Sequence, residues 1–90
     1  MIGEFAIVNS RVSIDHDCSI ADFCHIAPGV TLSGNVRIGA GSHVGTGANV
    51  IQGVELGERC FVAAGATVVR DVADGAFVRG VPAKEFRPDC

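Results

Sequence analysis

The sequence predicts an all-β protein, a parallel β-helix of hexapeptide repeats, and three periodic features carry that prediction. Stepping by six from Ile2 gives Ile2, Val8, Ile14, Ile20, Ile26, Leu32, Ile38, Val44, Val50, Leu56, Val62 and Val68, all aliphatic. Only 22 of the 90 residues are Ile, Val or Leu, so such a run has a chance probability on the order of 10⁻⁷. Four residues after each of these lies a second column, Ala6, Val12, Cys18, Cys24, Val30, Val36, Ser42, Ala48, Val54, Cys60, Ala66 and Val72, in which every side chain is small. Glycines keep two further phases, Gly29, Gly41, Gly47, Gly53 and Gly65 in one, and Gly3, Gly39, Gly45 and Gly57 in the other.

A period of six is neither the 3.6 of a helix nor the simple alternation of a strand, so each hexapeptide reads as a short strand followed by a corner. Both columns then point inward. The glycine phases mark corners that need unusual backbone angles or close approach. Cys18, Cys24 and Cys60 fall in the small inward column, where a thiol behaves as a compact hydrophobe. With no CxxC pair among the four cysteines, they are expected to be free rather than paired or metal-bound. Cys90 lies in the tail and carries no inference.

Size and charge narrow the function classes. Ninety residues make one small domain, which alone buries little over half of its unfolded surface, so other subunits are expected to help. The net charge of −3 provides no basic field for nucleic acid or an acidic membrane, and neither is an expected partner. No long apolar run that could span a membrane occurs and the opening MIGEFAIVNS lacks a secretory leader, which points to a cytoplasmic location.

The stretch IDHDCSIADFCHIAPGVTLSGNVRIG (Ile14 to Gly39), with GAGATVVRDVADGAFVRGVPAK towards the end, resembles the hexapeptide-repeat acyltransferases, and within them the sialic-acid O-acetyltransferase and bacterial amino-sugar N-acetyltransferase family. The likeness covers nearly the whole chain. It implies a left-handed parallel β-helix of about four triangular coils, three hexapeptides to the coil, over residues 1–84, with residues 85–90 as a tail. It also implies an acetyl-CoA-dependent sugar O- or N-acetyltransferase that works as a homotrimer, with each active site in a groove between neighbouring prisms. Members of that family carry an N-terminal Rossmann-like domain for the nucleotide sugar, whereas Met1 here directly precedes the first repeat residue. A fragment of a longer protein, or a different mode of acceptor recognition, is therefore expected. The first coil is expected to be weak, because nothing precedes Ile2 to cover its unpaired edge.

Acetyl transfer from a thioester needs a base for the acceptor's proton and donors for the developing oxyanion. His16 stands between Asp15 and Asp17 at an outward position. On the residues alone it reads equally as a general base beside a carboxylate or as a solvated histidine in an acidic corner. The resemblance makes His16 the catalytic base and Asp17 the acid that orients it. Gly34, three hexapeptides on, stacks over His16 in such a coil. The resemblance gives it a role at the thioester oxygen, and a mere corner glycine is the alternative. His25 lies half a coil from His16, so the two can meet only across subunits, and the resemblance places His25 beside the acetyl group of the cofactor. Down that side run His25, His43, Phe61 and Arg79, and beside them Pro28, Thr46, Ala64 and Pro82. Thr46 and Ala64 match acetyl-CoA contacts in the family, and Arg79 and Lys84 are candidates for the phosphates. No metal is expected. Two other functions stay open: a non-catalytic trimeric scaffold or fragment, and a metal enzyme similar to γ-type carbonic anhydrases using His16, His25 and His43.

Overall fold

The computed structural model describes residues 1–86, and Cys90 lies outside them. Within each repeat an outward residue is followed by an inward Ile, Val or Leu, and that pair forms the strand. In chain order these are β1 (Ile7–Val8), β2 (Ser13–Ile14), β3 (Ser19–Ile20), β4 (His25–Ile26), β5 (Thr31–Leu32), β6 (Arg37–Ile38), β7 (His43–Val44), β8 (Asn49–Val50), β9 (Glu55–Leu56), β10 (Phe61–Val62), β11 (Thr67–Val68), β12 (Phe77–Arg79) and β13 (Lys84–Glu85). They build the three faces of a prism: β1-β4-β7-β10-β12-β13, β2-β5-β8-β11 and β3-β6-β9. Every pairing is parallel except β12 with β13. His25 pairs with His43 and His43 with Phe61, a step of three hexapeptides each time, which is one triangular coil. The all-β solenoid of about four coils is the fold the repeats predict.

Between faces the chain turns through one left-handed residue per corner, and the phase is strict: 5, 11, 17, 23, 29, 35, 41, 47, 53, 59 and 65 all have positive φ. Five of these are glycines, but Phe5, Arg11, Asp17, Phe23, Asn35 and Arg59 are not, each at a cost of about 1–2 kcal/mol that the stacked coils must outweigh. The second glycine phase serves space instead. A Cβ on Gly39 would stand 2.5 Å from the Gly57 carbonyl oxygen of the next coil.

The inward aliphatic column is buried from Ile20 to Val68, each side chain contributing about 1.5–3 kcal/mol. The small column does more than fill space. Cys18 Sγ donates to the Ser33 carbonyl at 3.0 Å, Cys24 Sγ to that of Gly39 at 3.1 Å, Ser42 Oγ to that of Gly57 at 2.9 Å and Cys60 Sγ to that of Ala73 at 3.1 Å. Each bond ties a corner of the next coil. The three thiols are free, and burial pushes that of Cys24 above its ordinary pKa. At the first coil the same columns are unsealed, with Ile2 53% and Val8 37% exposed.

The strict period ends at Val68, and the fourth coil is two residues shorter. Leu56 bridges Val72 and Phe61 pairs with Phe77, each short of the three-hexapeptide step. Val72, which the sequence places in the small column, thus continues the aliphatic one. The repeat phase would have put Asp74 inward, and the contraction puts it at a corner where its Oδ1 accepts from the Glu58 N–H at 2.8 Å. After Arg79 the chain leaves the prism at Gly80, with φ 94°, and β13 pairs back on β12. Pro82, which follows a cis peptide bond, lies in this return and does not continue the Thr46–Ala64 column. Phe86 reaches Phe77, with ring centroids 5.8 Å apart, so packed structure continues past residue 84.

Candidate active site

Two separate clusters form, one at a corner and one on the face opposite it. His16 occupies the corner between the β2 and β3 faces, immediately before left-handed Asp17 at φ 60°. That backbone angle swings the Asp17 carboxylate back towards the ring, and His16 Nδ1 lies 3.3 Å from Asp17 Oδ2. With the proton on Nδ1 donated to the carboxylate, Nε2 keeps its lone pair. The Asp15 carboxylate accepts from the His16 backbone N–H at 2.7 Å and holds the corner itself. Both His16 and Asp17 are mostly exposed, at 63% and 78% of their side chains.

One coil below, Gly34 lies under the ring. A Cβ there would be 2.7 Å from His16 Cε1 and 2.8 Å from Nε2, so the glycine gives the imidazole its seat. Gly34→Ala is accordingly expected to leave the melting temperature nearly unchanged, because an exposed side chain can rotate away. Any reaction that uses Nε2 as its base should slow at least tenfold as that atom moves, since misplacement of about 1 Å costs up to roughly 10². A variant with intact activity would show that the seat has no catalytic role.

On the opposite face the outward residues of β4, β7, β10 and β12 form a ring ladder. His25 meets His43 edge to face at 4.6 Å and 77°. His43 lies flat on Phe61 at 4.8 Å and 5°, and Phe61 on Phe77 at 4.9 Å and 11°. The place expected for Arg79 belongs to Phe77, a direct result of the two-residue contraction. Arg79 instead stands with its Cζ 3.8 Å above the Phe86 ring centroid, directly opposite Lys84 in the β12–β13 register. Two cations opposite each other repel, and an anion between them would relieve that repulsion. Thr46 and Ala64 hold the corner beside the ladder, where the Gly65 N–H donates to the Thr46 carbonyl at 2.9 Å.

Asn9 completes this cluster, and reading the sequence missed it. Its Nδ2 lies 2.9 Å from His25 Nε2 and donates to the Ile26 carbonyl at 3.3 Å. Because an amide nitrogen donates, Nε2 of His25 accepts and its proton sits on Nδ1. The signal was available: Ile7 pairs with His25, so Asn9, two residues on, is a diagonal neighbour on the same face.

Burial first, and the neighbouring His25 second, hold the His43 imidazole below its ordinary pKa of 6.5. The unfolded chain then takes up that proton at a higher pH than the folded one, so stability falls as pH drops below about 6.5. Melting at pH 7.5 and pH 5 should show a smaller acid loss in His43→Phe than in the unmodified chain. An equal loss would assign the pH dependence elsewhere.

His16 and His25 do not meet within one chain, since a corner and the face opposite it are separated by the core. Nor is there, among the described residues, a group of three or more His, Cys, Asp or Glu side chains that could hold a metal ion.

Known proteins share this architecture. Residues 35–70 match the family described as bacterial transferase hexapeptide (six repeats). A variant of the GDP-perosamine N-acetyltransferase from Caulobacter crescentus, solved with CoA and GDP-perosamine, is 41% identical over 97% of this chain, with a TM-score of 0.95. The acetyltransferase domain of PglB from Neisseria gonorrhoeae, solved with acetyl coenzyme A, is 47% identical over 90% of the chain at 0.89. WeeI from Acinetobacter baumannii is 33% identical over 94% at 0.91. The chain spans 41%, 40% and 42% of the length of those three proteins. A comparison with curated protein sequences found no match. Taken with the twelve repeats and the prism they build, these likenesses make the chain a hexapeptide-repeat β-helix similar to the one found in bacterial amino-sugar N-acetyltransferases.

Proposed function

We propose that the chain transfers acetyl from acetyl-CoA to the amino group of a nucleotide-linked sugar, with a hydroxyl acceptor using the same machinery. The observation that carries this reading is His16, whose Nδ1 is held by Asp17 at 3.3 Å and whose ring rests on Gly34. That arrangement supports the tautomer with its proton on Nδ1, which would leave Nε2, the proposed base, free at an open corner. In the proposed step Nε2 takes the acceptor's proton as the amine attacks the thioester carbonyl. The Gly34 N–H is the proposed donor to the oxyanion. Collapse breaks the C–S bond, and the proton on Nε2 passes to the departing CoA thiolate.

His25, Thr46 and Ala64 are assigned to the cofactor's acetyl end and arm, and Arg79 with Lys84 to its phosphates. Because His16 and His25 lie on opposite sides of one prism, the complete site requires a neighbouring chain, and the proposal includes a homotrimer. Three free buried thiols suit the reducing cytoplasm. The amine acceptor rests on the likeness to a protein described as a perosamine N-acetyltransferase, two variants of which were solved with GDP-perosamine. Among the described residues no helix is long and apolar enough to cross a membrane.

The test is calorimetric titration with acetyl-CoA, followed by incubation with a panel of nucleotide-linked amino sugars and sialic acids read by product mass. Saturable binding and a mass gain of one acetyl group on an amino sugar are expected. Absence of acetyl-CoA binding, or a monomer by light scattering at micromolar concentration, would overturn the proposal.

A further inference from the structure

His25 is held at two points. Asn9 Nδ2 fixes one atom, Nε2, at 2.9 Å, but one hydrogen bond leaves the ring free to tilt about that atom. The second contact is the His43 ring, 4.6 Å away and 77° to it, which blocks the tilt. His43 is itself immobilised from below, flat on Phe61 at 5°, which in turn lies on Phe77. These rings stack because they occupy the outward position of strands β7, β10 and β12, which are neighbours on one face. The ladder thus gives a two-residue strand a stiff outer surface directly under His25.

We propose that His43 is a positioning residue for His25, fixing with Asn9 the tilt and tautomer of that imidazole and hence its pose towards the cofactor's acetyl group. The link to the cofactor rests on the reading of His25 given above; the effect on the ring does not. His43 faces His25 across β4 and the uncharged Phe61 across β10. Held below its ordinary pKa by burial and by His25, it is neutral at pH 7 and puts no cation against the ring it supports. An aromatic ring of either kind can do this work, whereas an aliphatic side chain of similar bulk offers no oriented edge or face.

The experiment uses the full chain with ¹⁵N-labelled histidine, comparing the unmodified protein with His43→Ala, His43→Leu and His43→Phe after thermal melts establish that each is folded. The unmodified protein and His43→Phe should show His25 protonated on Nδ1 with Nε2 accepting. His43→Ala and His43→Leu should show mixed tautomers, and should bind acetyl-CoA about three- to tenfold more weakly, the range that follows from losing one oriented ring contact. A His25 tautomer and acetyl-CoA affinity unchanged in His43→Leu would overturn the proposal even if His43→Ala does not fold. If no variant, nor the unmodified chain, binds acetyl-CoA, the acetyltransferase reading fails while the nitrogen shifts still decide whether His43 positions His25.

Discussion

Replacing His16 with alanine is expected to lower kcat by on the order of 10² to 10⁴, the usual worth of general-base assistance, while acetyl-CoA affinity hardly changes. The reason lies in the corner: Nε2 is the atom left free by the Asp17 contact, and no other imidazole of the same chain lies on that side of the prism. Asp17→Asn should do less harm, because it removes the orienting carboxylate and leaves the ring in place. His25→Ala should instead weaken acetyl-CoA use, since its ring belongs to the ladder face. Mixing inactive His16→Ala and His25→Ala chains should then restore part of the activity, through interfaces that pair an intact His16 with an intact His25. No recovery, under conditions where subunit exchange is demonstrated, would mean that the two histidines do not share a site.

Leu32→Ala should destabilise the prism by about 2–5 kcal/mol, the range for truncating a large buried aliphatic side chain. Leu32 is fully buried and stands in register between Ile14 and Val50, so coils on both sides lose contacts and neither can collapse into the gap. For a domain of this size, such a loss lowers the melting temperature by roughly 10–30 °C. Val8→Ala removes a residue of the same inward column from the first coil, where Val8 is already 37% exposed, and should cost no more than about 1 kcal/mol. Thermal or urea melts of the two variants decide it. Equal losses would mean that the first coil is sealed as well as the second.

The architecture was legible because it is repeated. A single aliphatic residue says little about its surroundings, but twelve in phase leave only one way to bury them all. The same arithmetic placed Gly34 on His16 and His43 on His25, since a coil of constant length turns sequence spacing into contact. It failed where the coil length changed. Arg79 was assigned to the ladder by counting three hexapeptides from Phe61, yet the fourth coil falls two residues short of that and Phe77 stands there. The hint was in the sequence, because the next residue in phase after Val68 is Asp74, which no apolar core accepts unpaired.

Period alone accounts for the solenoid, for the inward use of Cys18, Cys24 and Cys60, and for the half-coil separation of His16 from His25, so all three could be read from the order of residues. The remaining features depend on backbone angles and on contact geometry: spacing tells which residues stack, but not how their atoms meet. The left-handed backbone at Asp17, a conformation six non-glycine corners share, directs its carboxylate to His16. The diagonal reach of Asn9 to His25 and the seat that Gly34 gives an imidazole likewise exist only once the coils are stacked about 4.8 Å apart, close enough for side chains of one coil to be shaped by the backbone of the next.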